Sequence, residues 1–269
     1  MTDSSNPRDR LVSTEVIVLK RVDLRETDRI FVVLSDRFGK MSVIAKGVRR
    51  PTARFASHLE LFARTRIMLS RGRELDVVTG AESVDLHINL RSDLTSMAIA
   101  SHMTELVVQF LPEREANRPT YRLLTHSLKA LDDGAAPVRV GRWFEMRLLG
   151  EMGVRPELYN CVVCQRQVEA EPNAFNINAG GILCAEHANS AYGSLVLTVA
   201  VQKVLRLLLR ADLDAWLALA PNAAVDAELE QLLTAFIRAQ LERDLHSLRV
   251  MHRVEESIPI WESAYKSTK

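Results

Sequence analysis

At 269 residues, with 47% apolar and 26% charged side chains and a formal net charge of +1, the chain is long enough to bury more than one core, which points to two domains. No apolar run reaches the ~18 residues of a membrane span, and Met1 to Arg10 is too polar for a signal-peptide core. Three cysteines make no disulfide framework, so the expectation is a cytoplasmic protein with reduced thiols and no membrane partner.

The near-neutral total conceals an uneven distribution. Residues 1 to 80 hold 16 Lys+Arg against 10 Asp+Glu, and between Arg37 and Arg73 ten basic residues face the single acid Glu60. This stretch reads as five short strands. Val16 to Leu19 and Ile30 to Leu34 are β-branched apolar runs, and Asp36-Arg37-Phe38-Gly39-Lys40 carries turn chemistry. Met41 to Ala45, Leu59 to Leu69 and Leu75 to Thr79 complete the set. Five strands separated by turns suit a small barrel, with the oligonucleotide-binding (OB) barrel as the leading candidate and an SH3-like barrel as the alternative.

Lys46-Gly47-Val48-Arg49-Arg50-Pro51 leaves the third strand as a basic run. Lysine and arginine on such a face neutralise phosphates and release counterions without reading base sequence. The candidate DNA contacts are Arg37, Lys40, Lys46, Arg49, Arg50 and Arg54. Only Phe38 and Phe55 stand where a base could stack on them, so backbone electrostatics dominate the expectation, for duplex as well as single strands.

From about residue 92 the apolar period lengthens to helical spacing. Ile99, Met103, Leu106 and Phe110 form one stripe, closed by Pro112. Tyr121, Leu124, Leu128 and Leu131 form the next, and Val140, Phe144 and Leu148 a third. Beyond residue 200, Val201, Leu205 and Leu208 and then Leu229, Leu233 and Phe236 repeat the pattern, all of it read as core. The fold class is therefore α+β: a five-stranded barrel over 1–82, then a helical domain over 83–269 with a zinc ribbon inserted at 158–190. The tail with Trp261 and Tyr265 is assigned no role.

All three cysteines fall in one window, Cys161-x2-Cys164-x19-Cys184-x2-His187. Two pairs of soft ligands at this spacing suit one tetrahedral Zn2+, and four protein ligands leave no position for a catalytic water, so the ion is read as structural. Asn178, Gly180 and Gly181 are the expected turn, and Phe175 and Ile182 the expected apolar plug. The chain carries no phosphate-cradling glycine loop, no G-x-S-x-G, no H-E-x-x-H and no zinc-deaminase signature, which favours a binding protein over an enzyme.

The order of these features resembles bacterial RecO, a family of recombination mediators. The resemblance is carried by the first strand leading to Asp28-Arg29-Ile30, the Phe38-Gly39-Lys40 turn and the Lys46 to Arg50 run. It continues in Arg142-Trp143-Phe144-Glu145 with Leu148-Leu149, and in the cysteine window with Phe175, Gly180-Gly181 and Cys184. It implies an OB domain, a helical domain bearing the ribbon, and no enzymatic turnover. It also implies binding to single- and double-stranded DNA, annealing of complementary strands, loading of recombinase onto strands coated with single-strand-binding protein (SSB), and contact with RecR and the SSB C-terminal tail. His187 departs from the fourth cysteine common in the family, and imidazole still completes the ligand set. The competing classes are a zinc-ribbon transcription or adaptor protein and a zinc hydrolase.

Overall fold

A computed structural model describes residues 11–188, 193–219 and 221–241. By contacts the chain divides after Gly134, and each unit is taken separately below.

In the first unit, β1 (Leu11–Leu24), β2 (Asp28–Ser35), β3 (Gly39–Ala45), β4 (Arg64–Ser70) and β5 (Asp76–Asp85) close into a barrel of order β1-β2-β3-β5-β4. β1 is long enough to pair antiparallel with both β2 and β4, with a bulge between Val18 and Lys20. The barrel closes where β3 meets β5 in parallel through Val43–Asp76 and Ile44–Val77. This strand order is the OB arrangement and decides against the SH3-like alternative. Period-two alternation sends Val16, Val18, Phe31, Val33, Met41, Val43 and Ile67 into the interior, where they are at most 2% exposed.

The expected strand Leu59 to Leu69 is half loop. β4 begins only at Arg64, because the Phe62 amide donates to the Val18 carbonyl (2.9 Å) and Ala63 folds back on Glu60 (3.2 Å). Leu59 and Phe62, each 2% exposed, are buried from this loop instead of from a strand. β5 runs to Asp85, well beyond the expected Thr79.

Two helices belong to the same unit, α1 (Leu94–Phe110) and α2 (Arg118–Asp132). Each has a side-chain N-cap: Asp93 accepts from the Ser96 amide, and Asn117 from that of Thr120. The connection between them lies along the start of β3, with the Arg114 amide donating to the Lys40 carbonyl (2.7 Å). Gly39 allows that approach, since a Cβ there would stand 1.8 Å from the Glu115 carbonyl oxygen and its φ is +71°.

The second unit contains α3 (Pro137–Glu151), a three-stranded sheet of order β7-β6-β8 built from β6 (Asn173–Asn176), β7 (Gly181–Leu183) and β8 (Ser194–Leu197), and four further helices. These are α4 (Ala185–Ala188), α5 (Val199–Leu208), α6 (Leu213–Leu217) and α7 (Ala223–Leu241). Buried Arg142 of α3 is held between Glu145 (3.0 Å) and Glu230 (3.2 Å), and Trp143 donates to the Ala211 carbonyl (3.0 Å). Phe175 is fully buried and meets Phe236 of α7 edge-on, with ring centroids 5.5 Å apart.

Candidate metal centre and nucleic-acid interface

The sequence builds the metal cluster from two short turns. In the first, the Gln165 amide donates to the Cys161 carbonyl (2.8 Å) and the Cys161 amide to the Arg166 carbonyl (2.8 Å), with Gln165 at φ +59°. In the second, the His187 amide donates to the Cys184 carbonyl (2.9 Å) at the start of α4. The Val162 amide reaches the Ile182 carbonyl (3.0 Å), and the Ile182 amide the Glu157 carbonyl (2.9 Å), so the two turns are clasped together. Gly181 sits in that clasp, where a Cβ would be 2.4 Å from a Val162 methyl. Val168, Ala174 and Ile182 pack around Cys161, and Arg166 pairs with Glu186 across the two turns.

The ligand atoms of Cys161, Cys164, Cys184 and His187 all lie within 4.8 Å of one another. Cys184 Sγ is 3.2 Å and Cys161 Sγ 3.8 Å from His187 Nδ1, and Cys164 Sγ is 3.9 Å from Cys184 Sγ. Bonds of about 2.3 Å to sulfur and about 2.0 Å to nitrogen put the edges of a tetrahedron at roughly 3.5–3.8 Å. The donor set therefore fits a closed four-ligand ion.

The thiols are biased by their surroundings. Burial raises the Cys161 thiol, but the amides of Cys164, Cys184 and Val163 outweigh it and bring the group down to about 7. The Arg166 amide and guanidinium lower Cys164, whereas burial raises Cys184. Donors aimed at sulfur favour the thiolate, the form that ligates a metal.

The six basic candidates do not share one surface. Lys46, Arg49 and Arg50 are exposed where the chain leaves β3, beside the β1–β2 hairpin. The Asp28 carboxylate accepts from the Gly47 amide (2.8 Å), the Arg49 amide donates to the Thr27 carbonyl (3.0 Å), and the Arg49 guanidinium donates to the Arg25 carbonyl (3.1 Å). Arg49 also lies 3.5 Å from Asp23. Exposed Arg25, in the hairpin turn at φ +56°, thereby joins the run; sequence reasoning missed it, although its place in a turn between two predicted strands could have found it. Exposed Arg54 follows four residues after Arg50, and Ala53 between them folds back on the Arg50 carbonyl (3.0 Å).

Arg37 stands at the other end of β2, exposed, its guanidinium 5.2 Å from the centroid of the Phe38 ring. Lys40 is withdrawn from solvent. At 8% exposure it donates to the Val108 carbonyl (2.8 Å) and lies 3.7 Å from Glu113, which makes it a fastener for the C-terminal turn of α1. Phe38 and Phe55 both lean on the barrel core, half-buried. Glu60, the lone acid of the basic stretch, pairs with Arg21 (3.0 Å) and Arg91 (3.2 Å).

Comparison with known proteins agrees with this architecture. Residues 10–87 match the family model for the N-terminal part of recombination protein O, and residues 91–249 the model for its C-terminal part. The chain belongs to the recombination protein O family. It is 36% identical to the DNA repair protein RecO of Roseiflexus sp. over 93% of this chain and 88% of that protein. It is also 36% identical to the RecO of Desulforudis audaxviator, over 90% of this chain and 96% of the relative, and 32% identical to the RecO of Dehalococcoides mccartyi strain BAV1, over 87% and 92%. RecO is a family of DNA repair proteins and not of enzymes. No helix among the described residues is long and apolar enough to cross a membrane.

Proposed function

We propose that this chain is a recombination mediator. Its barrel holds single- and double-stranded DNA by the sugar-phosphate backbone, anneals complementary strands, and helps load recombinase onto SSB-coated single strands together with RecR and the SSB tail in the cytoplasm. The observation that carries the reading is the junction of the Lys46, Arg49 and Arg50 run with Arg25 at one end of the barrel, held in place by Asp28 and the Thr27 carbonyl. Among the described residues, Lys46, Arg50 and Arg25 form no ion pair, so their charge is available to phosphates. Neutralising phosphates on two strands lowers their mutual repulsion and lets bases search for register.

The four-ligand cluster is proposed to hold one structural Zn2+, bound by Cys161, Cys164, Cys184 and His187. When bound, the ion supplies cross-linking and no reaction chemistry. The chain's own residues align the two turns and bury Cys161 against Val168, Ala174 and Ile182.

The deciding experiment times the annealing of complementary strands coated with SSB. The wild type should accelerate annealing, and Lys46→Glu/Arg49→Glu/Arg50→Glu should abolish the acceleration. A wild type that neither binds nor anneals oligonucleotides in low salt would overturn the reading.

A further inference from the structure

We propose that the opposite end of the barrel, around the β2–β3 turn and the first turn of α2, is a second site that holds a separate single strand of DNA. The inference rests on the DNA-binding reading above and deepens it, because two sites on one barrel explain how one chain presents two strands to each other.

The fold gathers this end from distant parts of the chain. Arg37 lies in the β2–β3 turn, Arg71 and Arg73 in the β4–β5 loop, and Arg118 and Arg122 one helical turn apart on α2; all five are exposed. One cleft is lined by Phe38, Arg71, Asp76 and Arg114, and Asp76 is neutralised there by Arg114 at 3.1 Å. A second cleft is lined by Asp36, Arg118, Tyr121 and Arg122. Among the described residues, the acids at this end are Asp36, Glu74 and Glu115, together with Asp76, Glu113 and Glu15, which pair with Arg114, Lys40 and Arg66.

Tyr121, 8% exposed, lines the second cleft together with Arg118 and Arg122. Burial, reinforced by Glu15, pushes its phenol up to about 12, so the ring stays neutral beside the two arginines and sets no negative charge against a phosphate. The exposed edge of Phe38 beside Arg37 and Arg71 offers an apolar surface to a base.

The two ends are separated by the length of β2, seven residue steps or roughly 23 Å. That exceeds the Debye length of about 8–10 Å near physiological salt, so each end attracts its strand independently.

The test uses the full chain, donor- and acceptor-labelled oligothymidylates that report two strands on one protein, and the timed annealing of complementary strands. Arg37→Glu/Arg118→Glu/Arg122→Glu should keep its affinity for a first strand within about twofold while losing co-capture and slowing annealing about tenfold. Arg71→Glu/Arg73→Glu, in the exposed β4–β5 loop, should slow annealing about threefold with unchanged melting. Co-capture and annealing at wild-type level in both variants would overturn the second site, as would equal loss of first-strand binding in the far-end and Lys46/Arg49/Arg50 triples, the mark of one continuous track. If the Lys46/Arg49/Arg50 triple also binds as the wild type does, the DNA reading of the barrel falls with it. If that triple loses binding while the far-end variants keep co-capture and annealing, only the second site falls.

Discussion

The Asp28 carboxylate accepts a hydrogen bond from the Gly47 amide at 2.8 Å, and so ties the exit of β3 to the hairpin that precedes it. Gly47 is at φ +67°, a conformation that strains residues with a Cβ, so the basic run turns at a glycine anchored by an acid. The Gly47 amide holds the Asp28 carboxyl below its ordinary value of 3.8. For a group lowered in the fold, the contribution is present above the unfolded value and lost as pH falls through the folded one. Amide exchange at Gly47 should therefore be slow at neutral pH and accelerate severalfold in Asp28→Ala or on acidification below the normal aspartate range. Unchanged exchange in the variant would show that the link does not order the loop.

Charge reversal separates the two kinds of lysine on β3 and its exit. Each lost phosphate contact reduces the salt slope of single-strand binding by ~0.7. Lys46→Glu/Arg49→Glu/Arg50→Glu should therefore lower the slope by about 2, measured by fluorescence titration across salt concentrations.

Lys40→Met should leave that slope unchanged. The lysine instead satisfies the Val108 carbonyl from a buried position, so its loss should cost about 1–3 kcal/mol in chemical denaturation. A variant with normal stability and a reduced slope would reverse the assignment.

Metal analysis should find about one zinc per chain. Cys161→Ser and Cys184→Ser should each abolish it and lower the melting of the second unit steeply, since metal-binding free energy in such sites is folding free energy on the order of 10 kcal/mol. First-strand DNA affinity should survive, because the residues proposed to contact DNA belong to the other unit. Wild-type melting in a metal-free variant would refute a structural ion.

Gly181→Ala tests the clasp without touching a ligand. The new methyl would stand 2.4 Å from Val162 and 2.8 Å from the Glu157 carbonyl oxygen, so the two turns must part. The expected result is a loss of about 1–3 kcal/mol and weaker zinc retention against a chelator.

Much of this was legible in the residues because it is local. Period-two runs placed β2 and β3 to within two residues at each end, and helical stripes placed α1, α2, α3 and α7. The two ligand pairs converge as their spacing implied, within 4.8 Å. What escaped depends on contacts far along the chain. Lys40 looks like a surface charge in a turn until the segment between α1 and α2 is laid over it. Leu59 and Phe62 carry strand-like hydrophobicity yet serve a loop that plugs the barrel. The six basic candidates looked like one patch because they are close in sequence, and β2 carries Arg37 to the far end from Lys46. No local pattern shows that α1 and α2 keep company with the barrel.

The barrel's parallel seam has a consequence for biosynthesis. β3 and β5 meet through only two residue pairs, and β5 is also the last of the barrel strands to be made. Until Asp85 has emerged from the ribosome, β3 has one unsatisfied edge and the cylinder stays open, its basic exit loop already synthesised. The nascent chain therefore gains its finished grip on polyanions late, after most of its arginine-rich stretch has been translated.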